Sequence, residues 1–169
     1  SNMTGIIEDF DLVKTLEIIR TLHPEKKRMI FFGDNSTAGR AIADQITEKL
    51  EQANFNLEVE FWAGLSLIES RKRIKEVSAD TFLFFIPWYQ TVKGKFYTTE
   101  EIIEALYEQT RVPLYTAWEF LLGHGVVGGR VISGYQHGRQ AAEMALRILE
   151  GEAAESIPID LEPAGVYMF

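Results

Sequence analysis

Cysteine is absent from the 169-residue chain. Neither a disulfide framework nor a zinc–thiolate site is possible, although this absence does not decide the cellular compartment. Long uncharged segments are also absent, because the longest run without Asp, Glu, Lys or Arg is the 12-residue stretch Thr81–Val92. A membrane-spanning helix needs about 20 apolar residues. The sequence therefore predicts no membrane span.

Positive charge is in deficit, with 17 Lys and Arg against 25 Asp and Glu and a formal net charge of −8. A nucleic-acid partner is not expected, because phosphate binding requires a positive field. Apolar residues make up 46% and charged residues 25%, a balance typical of globular proteins rather than disordered tails. We expect Ser1–Met3 to be a tag remnant and the start of the chain. Residues 4–169 are expected to form a single α/β domain, since this length supports one substantial core.

Five short apolar runs predict β-strands, and three of them are continuous, as in strands covered on both faces. The runs are Met29–Phe32, Leu57–Trp62, Phe82–Ile86, Val112–Thr116 and Val131–Ser133. Apolar residues at helical spacing and two capping-box patterns predict helices between the runs. These helices are Asp9–Leu22, Thr37–Gln52, 66–77, 99–109 and Gly138–Glu150.

Strands and helices alternate along the chain, which predicts a three-layer α/β/α fold with a mostly parallel five-stranded sheet. The fold class is thus α/β, of Rossmann-like or flavodoxin-like type. Sheets of this kind bind ligands where the carboxyl ends of the strands meet the helix N-termini. The loops after the first, third and fourth strands are therefore the candidate ligand-binding segments.

The first of these loops contains Asn35, Ser36 and Thr37 within the segment Gly33–Arg40. Free amides at a helix start attract a carboxylate or phosphate, and the two hydroxyls can add donors. The segment has neither a Walker pattern nor a GxGxxG pattern. Two interpretations remain open, because Asn35 or Ser36 can cap the helix as well as contact a ligand.

The second and third loops are rich in aromatic and polar residues. Trp88, Tyr89 and Gln90 follow the third strand, and Trp118 and Glu119 follow the fourth. Large aromatic rings beside an amide suit a small ligand with a flat apolar part and polar edges. The alternative is that the aromatic residues pack beneath the following loop. Three such loops at one edge favour a binding site more than any single loop does.

No residue pattern points to catalysis. The sequence contains no nucleophile elbow and no phosphoryl-transfer set, and the three histidines lack the spacing of metal ligands. We therefore expect no catalytic residue, no metal and no cofactor.

A series of segments resembles a known family. The segments are Thr4–Asp11, Leu22–Pro24, Gly33–Arg40, Val112–Tyr115, Gly123–Gly129, Ser133–Arg139, Ile148–Glu152 and Ile157–Ile159. Their order and spacing resemble the ABC-transporter substrate-binding-protein-like family with the type I periplasmic binding fold. The chain looks most similar to versions that serve as extracytoplasmic sensor regions of bacterial histidine kinases and diguanylate cyclases, the GGDEF proteins.

The resemblance implies that two α/β lobes close over a small ligand and that this chain covers mainly the second lobe. It implies that residues 35–37 and 87–90 face the ligand cleft, together with Trp118 and Glu119. The helix Gly138–Glu150 resembles a segment that returns to the first lobe. In this chain it is expected either to complete the cover of the sheet or to pair with another molecule.

The leading hypothesis is a non-enzymatic domain that binds a small solute, an amino acid or a small organic acid. Its anionic part would lie at the amides near Ser36 and Thr37, and Trp88 or Tyr89 would stack on its apolar part. The parent would be a membrane-anchored bacterial signalling protein or an ABC uptake system, with the domain outside the cytoplasm and capable of forming a homodimer. Two alternatives remain, a cytosolic flavodoxin-like protein that binds FMN or a nucleotide, and a dimerisation module without ligand.

Overall fold

A computed structural model describes residues 2–53, 55–89, 96–161 and 165–169. The helices are α1 (Leu12–Leu22), α2 (Thr37–Ala53), α3 (Leu67–Lys75), α4 (Thr99–Tyr107) and α5 (Gly134–Leu149). The strands are β1 (Arg28–Gly33), β2 (Glu58–Ala63), β3 (Thr81–Phe85), β4 (Leu114–Thr116), β5 (Gly129–Ile132) and β6 (Gly165–Met168). Short 3-10 helices cover Glu119–Leu121 and Ala154–Ser156.

The predicted α/β class and the parallel sheet are confirmed. In the described part of the chain, β2, β1, β3 and β4 form one parallel sheet in that order. The predicted count of five strands is corrected to four, because β5 pairs antiparallel with β6 in a separate two-stranded sheet. A single parallel bridge, between Trp118 and Ile132, links β5 to the chain that follows β4. The chain turns into a 3-10 helix directly after Trp118, so the ladder cannot extend further.

The core lies on both faces of β1 and β3. All five residues of β3 are buried, as are the last five of β1. Cross-strand ring pairs join the two strands, with ring centroids 5.2 Å apart for both Phe31–Phe84 and Phe32–Phe85. Helix α1 lies beside α2, and α3 beside α4. The helices therefore form two layers around the sheet, and its central strands β1 and β3 are buried as continuous apolar strands require.

Side-chain caps fix where several helices begin. Ser66 and Thr98 open α3 and α4 through the predicted capping boxes with Glu69 and Glu101. Helix α5 begins at Gly134, four residues before the predicted start, because Ser133 caps it.

Helix α5 does not complete the cover of the sheet. None of its 16 residues is buried against the described part of the chain. The first of the two roles expected for this helix is therefore wrong, and the second stays a prediction. Among the described residues, no helix combines the length and the apolar character that a membrane span needs.

Candidate ligand-binding site

Three loops leave the carboxyl edge of the parallel sheet side by side. Phe32 near the end of β1 is in register with Phe85 of β3, which in turn is in register with Thr116 of β4. The segments that follow these strands therefore start at neighbouring points. The three predicted loops therefore lie together at the carboxyl edge of the sheet. This is the edge at which the sequence predicts a ligand, because parallel sheets bind ligands there.

Asp34 connects the first two loops, and its side chain is only 2% exposed. Oδ1 accepts hydrogen bonds from the Ser36 amide at 3.0 Å and from the Ser36 hydroxyl at 2.6 Å. Oδ2 accepts one from the Tyr89 amide at 2.8 Å. A buried, hydrogen-bonded carboxylate thus sets the position of Tyr89 relative to the start of α2.

Ser36 caps helix α2. Its hydroxyl accepts a hydrogen bond from the Gly39 amide at 3.0 Å while donating to Asp34. Because the Ser36 amide also donates to Asp34, that amide is not available to an anionic ligand. Asn35 and Thr37 are exposed at the same turn and stay candidates for ligand contact.

The two aromatic residues of the second loop have different environments. Trp88 is 1% exposed and belongs to the core, so the prediction that its ring can stack on a ligand is wrong. Tyr89 is 47% exposed. The aromatic surface that this loop offers is therefore the Tyr89 ring. Gln90 lies outside the described residues.

The third loop borders a cleft of about 250 Å³. The cleft is lined by Glu8, Trp118, Glu119, Phe120, Ile132 and Gly134. Trp118 is nearly buried, and its ring packs 5.5 Å from that of Phe10, so it forms the floor. Phe120 is about half exposed. Glu119 is half-buried at the cleft, where the sequence predicts it.

Among the described residues, two carboxylates act on the Tyr89 phenol. Burial raises the pKa of the Tyr89 phenol above its ordinary value, and the negative charges of Glu8 and Asp34 raise the pKa further. The phenol is therefore neutral at physiological pH and can donate a hydrogen bond. Glu8 thus lines the cleft and also acts on the Tyr89 phenol through its charge.

Sequence reasoning missed two residues of this site. Asp34 directly follows a buried strand and stands two residues before a helix cap, a spacing typical of an Asx turn; this local signal could have found it. Glu8 precedes α1 in a segment without regular structure. No local pattern places its carboxylate beside loops that follow 25 and 110 residues later, so no sequence signal could have found it.

The remaining chemistry of the described residues is limited. Within 2–53, 55–89, 96–161 and 165–169, no group of three or more His, Cys, Asp or Glu side chains is arranged to hold a metal ion.

Comparison with known proteins identifies the family. The family model described as ABC transporter substrate binding protein matches residues 1–164. The chain belongs to this family. Substrate-binding proteins of this family bind their ligands without converting them and are extracytoplasmic, in agreement with the expected non-enzymatic domain.

Similar proteins include a tyrosine-binding protein from Clostridioides difficile (strain R20291), which is 20% identical over 159 residues. That match covers 94% of this chain and 44% of the relative. A ligand-free, open substrate-binding protein with adhesive properties from Clostridium difficile has a TM-score of 0.70 at 16% identity, covering 94% of this chain and 52% of the other. An ABC domain from Streptococcus pneumoniae in complex with L-Trp has a TM-score of 0.68 at 17% identity, with coverages of 96% and 53%.

The chain of this substrate-binding-family member spans about half the length of these relatives. At these identities, the likeness to the solved structures shows the fold alone. The α/β unit of this chain matches about half of each longer chain. The predicted family and fold are thus confirmed, whereas the link to histidine kinases and GGDEF proteins rests on the sequence resemblance alone.

Proposed function

We propose that the chain binds an aromatic amino acid at the carboxyl edge of its sheet. The ammonium group of the ligand lies near Glu8 and Glu119, and its ring lies against Tyr89. The observation that carries this proposal is a largely apolar cleft that holds the carboxylates of Glu8 and Glu119, together with a half-exposed tyrosine on which Glu8 also acts. Relatives described as tyrosine-binding or as complexed with L-Trp support the same class of ligand.

The electrostatics of the edge favour a cationic group over an anionic one. Asp34 already uses the Ser36 amide, and its buried charge lies at the N-terminus of α2, where an anion would otherwise bind. Glu8 adds a second negative charge close to Tyr89. An amino-acid ammonium group gains from both charges, whereas its carboxylate does best pointing away from both, towards solvent.

The same charges disfavour the nucleotide alternative. A phosphate at the Gly33–Arg40 loop would lie against the Asp34 carboxylate, and like charges at close range raise the free energy of binding. We therefore keep FMN or a nucleotide only as an outcome of the binding test below.

A direct test uses three ligands that share a phenyl ring on a short alkyl chain and differ in which charged groups they carry. L-phenylalanine carries both charges, phenethylamine only the ammonium group, and 3-phenylpropionate only the carboxylate. We expect weak binding, with a Kd of about 1 mM, because half a cleft contributes half of the contacts. NMR titration of the ¹⁵N-labelled chain should show shifts of the Glu8, Tyr89 and Phe120 amides with the first two ligands.

Matched variants separate the site from the rest of the surface. Tyr89→Ala and Glu8→Gln should weaken binding, whereas Tyr107→Ala should not. Tyr107 has a similar exposure but ends α4, on the opposite edge of the sheet. Tighter binding of 3-phenylpropionate than of phenethylamine would overturn the assignment of the ammonium group. Binding of FMN with none of the three ligands would favour the nucleotide alternative.

The context of the parent protein is part of the proposal. The family favours an ABC uptake system, and the resemblance adds a membrane-anchored sensor of the histidine kinase or GGDEF type. The coding sequence on both sides of this segment decides between them. Neighbouring transporter genes would favour the uptake system, whereas a kinase or cyclase domain in the same reading frame would favour the sensor. Self-association of the chain, either with ligand or as a ligand-free dimerisation module, is a proposal of the same kind, supported by the exposed face of α5.

A further inference from the structure

One peptide group, which joins Trp88 to Tyr89, is hydrogen-bonded at both of its polar atoms by buried side chains. Its N–H, which belongs to Tyr89, donates to Oδ2 of Asp34 at 2.8 Å. Its C=O, which belongs to Trp88, accepts a hydrogen bond from the Thr99 hydroxyl at 3.3 Å. Asp34 and Thr99 are both buried, so water competes little for these bonds.

The two hydrogen bonds come from different elements of the fold. Asp34 directly follows β1, whereas Thr99 is the first residue of α4, and both elements contribute buried residues to the core. A peptide group is planar, so fixing its oxygen and its N–H also fixes the Cα atom of Tyr89 that lies in the same plane. A flip of this plane would break both bonds. The point from which the Tyr89 side chain starts is therefore set by two anchored elements.

The Thr99 hydroxyl is itself held in a fixed position. The preceding residue, Thr98, caps α4, because its hydroxyl accepts a hydrogen bond from the Glu101 amide at 3.1 Å and its own amide donates to the Glu101 carboxylate at 3.0 Å. Threonine is branched at Cβ and has few χ1 rotamers. The direction of the Thr99 hydroxyl is thus restricted by the cap before it and by the side chain that carries it.

The ring of Trp88 adds a third constraint on the same peptide group. Trp88 belongs to the core, whereas the ring of the next residue, Tyr89, is half-exposed at the candidate site. The first residue therefore anchors the loop and the second offers its ring to a ligand. A binding group that is in place before the ligand arrives loses less conformational entropy on binding.

We propose that Thr99 is a positioning residue of the ligand site. Its hydroxyl, together with Asp34, fixes the Trp88–Tyr89 peptide group and so presents the Tyr89 ring in its binding position. Thr99 acts through this peptide group and does not touch the ligand. The inference rests on the proposed function, which assigns the Tyr89 ring to an aromatic amino acid.

Two substitutions at position 99 separate the hydroxyl from the packing of the side chain. Thr99→Val keeps the shape and loses the donor, whereas Thr99→Ser keeps the donor and loses a methyl group. Hydrogen exchange of the Tyr89 amide, followed by NMR, should accelerate about three- to tenfold in Thr99→Val, the range that one hydrogen bond supplies. Thr99→Ser should stay near the parent rate. The Phe31 amide within β1 reports global opening and is the internal reference.

Thr110→Val is the matched control. The Thr110 hydroxyl also donates to a backbone carbonyl, that of Val112 at 3.1 Å, but it lies before β4 at the opposite edge of the sheet. Removing this donor should leave the exchange rate of the Tyr89 amide unchanged.

Binding of L-phenylalanine, measured by the NMR titration described above, is the second readout. Its Kd should rise about three- to tenfold in Thr99→Val, because the Tyr89 ring then has to be ordered on binding, and stay near the parent value in Thr99→Ser and Thr110→Val. A parent-like Kd in Thr99→Val would overturn the proposal, and so would equal losses in Thr99→Ser or exchange at Tyr89 that accelerates no more than at Phe31. If the parent chain does not bind L-phenylalanine, the proposed function fails, whereas the exchange rates still decide whether Thr99 fixes the peptide group.

Discussion

Gly39 offers the sharpest test of how Asp34 organises the edge of the sheet. It is the third residue of α2 and is buried. A Cβ atom at this position would lie 2.4 Å from Oδ1 of Asp34 and 2.6 Å from the Asp34 carbonyl oxygen. The second contact is with backbone at the end of a central strand, so it cannot be relieved by rotating a side chain.

Two opposing effects set the magnitude for Gly39→Ala. Replacing a helical glycine with alanine normally stabilises a protein by about 1 kcal/mol. Overpacking at a tight site costs about 1–3 kcal/mol. Displacing the Asp34 carboxylate would also leave the amides of Ser36 and Tyr89 without their acceptor, at about 1–3 kcal/mol. We expect a net loss of about 2–4 kcal/mol in the free energy of unfolding, since the two penalties together exceed the helix gain.

Gly138→Ala is the matched control. Gly138 is also in a helix, but no heavy atom lies within 4 Å of a Cβ placed there. Urea unfolding should show Gly138→Ala at least as stable as the parent and Gly39→Ala clearly less stable. Amide hydrogen exchange at Tyr89 should accelerate only in Gly39→Ala. If both substitutions stabilised the chain alike, the close packing of α2 against Asp34 would be refuted.

Three further predictions concern stability. Burial raises the pKa of the Tyr115 phenol to about 12, whereas its pKa in the unfolded chain is about 10. The contribution of this group to the free energy of unfolding is therefore fully present below pH 10, and about 2–3 kcal/mol is lost as the pH rises through 12. Urea unfolding across this pH range would check the loss, and a pH-independent midpoint would contradict it. Thr98→Ala removes the cap of α4 and should cost about 1 kcal/mol, measurable as a lower urea midpoint. Leu16→Ala, at a fully buried position, should cost about 2–5 kcal/mol. Leu149→Ala, at an exposed position, should change the free energy of unfolding by less than about 0.5 kcal/mol. Equal effects would refute the burial of α1.

Much of the fold was predictable because its signals are local. Continuous apolar runs indicate strands that are covered on both faces, and the Ser66–Glu69 and Thr98–Glu101 pairs indicate where two helices begin. The strand β6 was not predicted, because its four residues take their order from pairing with β5 rather than from their own pattern. Because β5 pairs with β6, the fifth predicted strand lies in a separate two-stranded sheet rather than in the parallel sheet.

The candidate site was predictable only in outline. Parallel topology places three loops at one edge, and the sequence alone supports that inference. Which aromatic ring of the second loop faces outward depends on how the chain turns after β3, and neighbouring residues there have opposite environments: Trp88 is core and Tyr89 is surface. Composition identifies the aromatic pair but carries no information about this choice. The position of Glu8 depends on tertiary packing in the same way.

Asp34 changes the chemistry that the first loop offers. A serine- and threonine-containing turn at a helix N-terminus predicts an anion site, because amides and the helix dipole both attract negative charge. Here the protein supplies that anion itself: the Asp34 carboxylate accepts the Ser36 amide and hydroxyl and also holds the Tyr89 amide. The helix terminus therefore stabilises the loop that presents Tyr89 instead of binding an anion from solution. The carboxylates that line the cleft are those of Glu8 and Glu119, which is why the proposed function assigns the ammonium group of the ligand, rather than its carboxylate, to this half of the site.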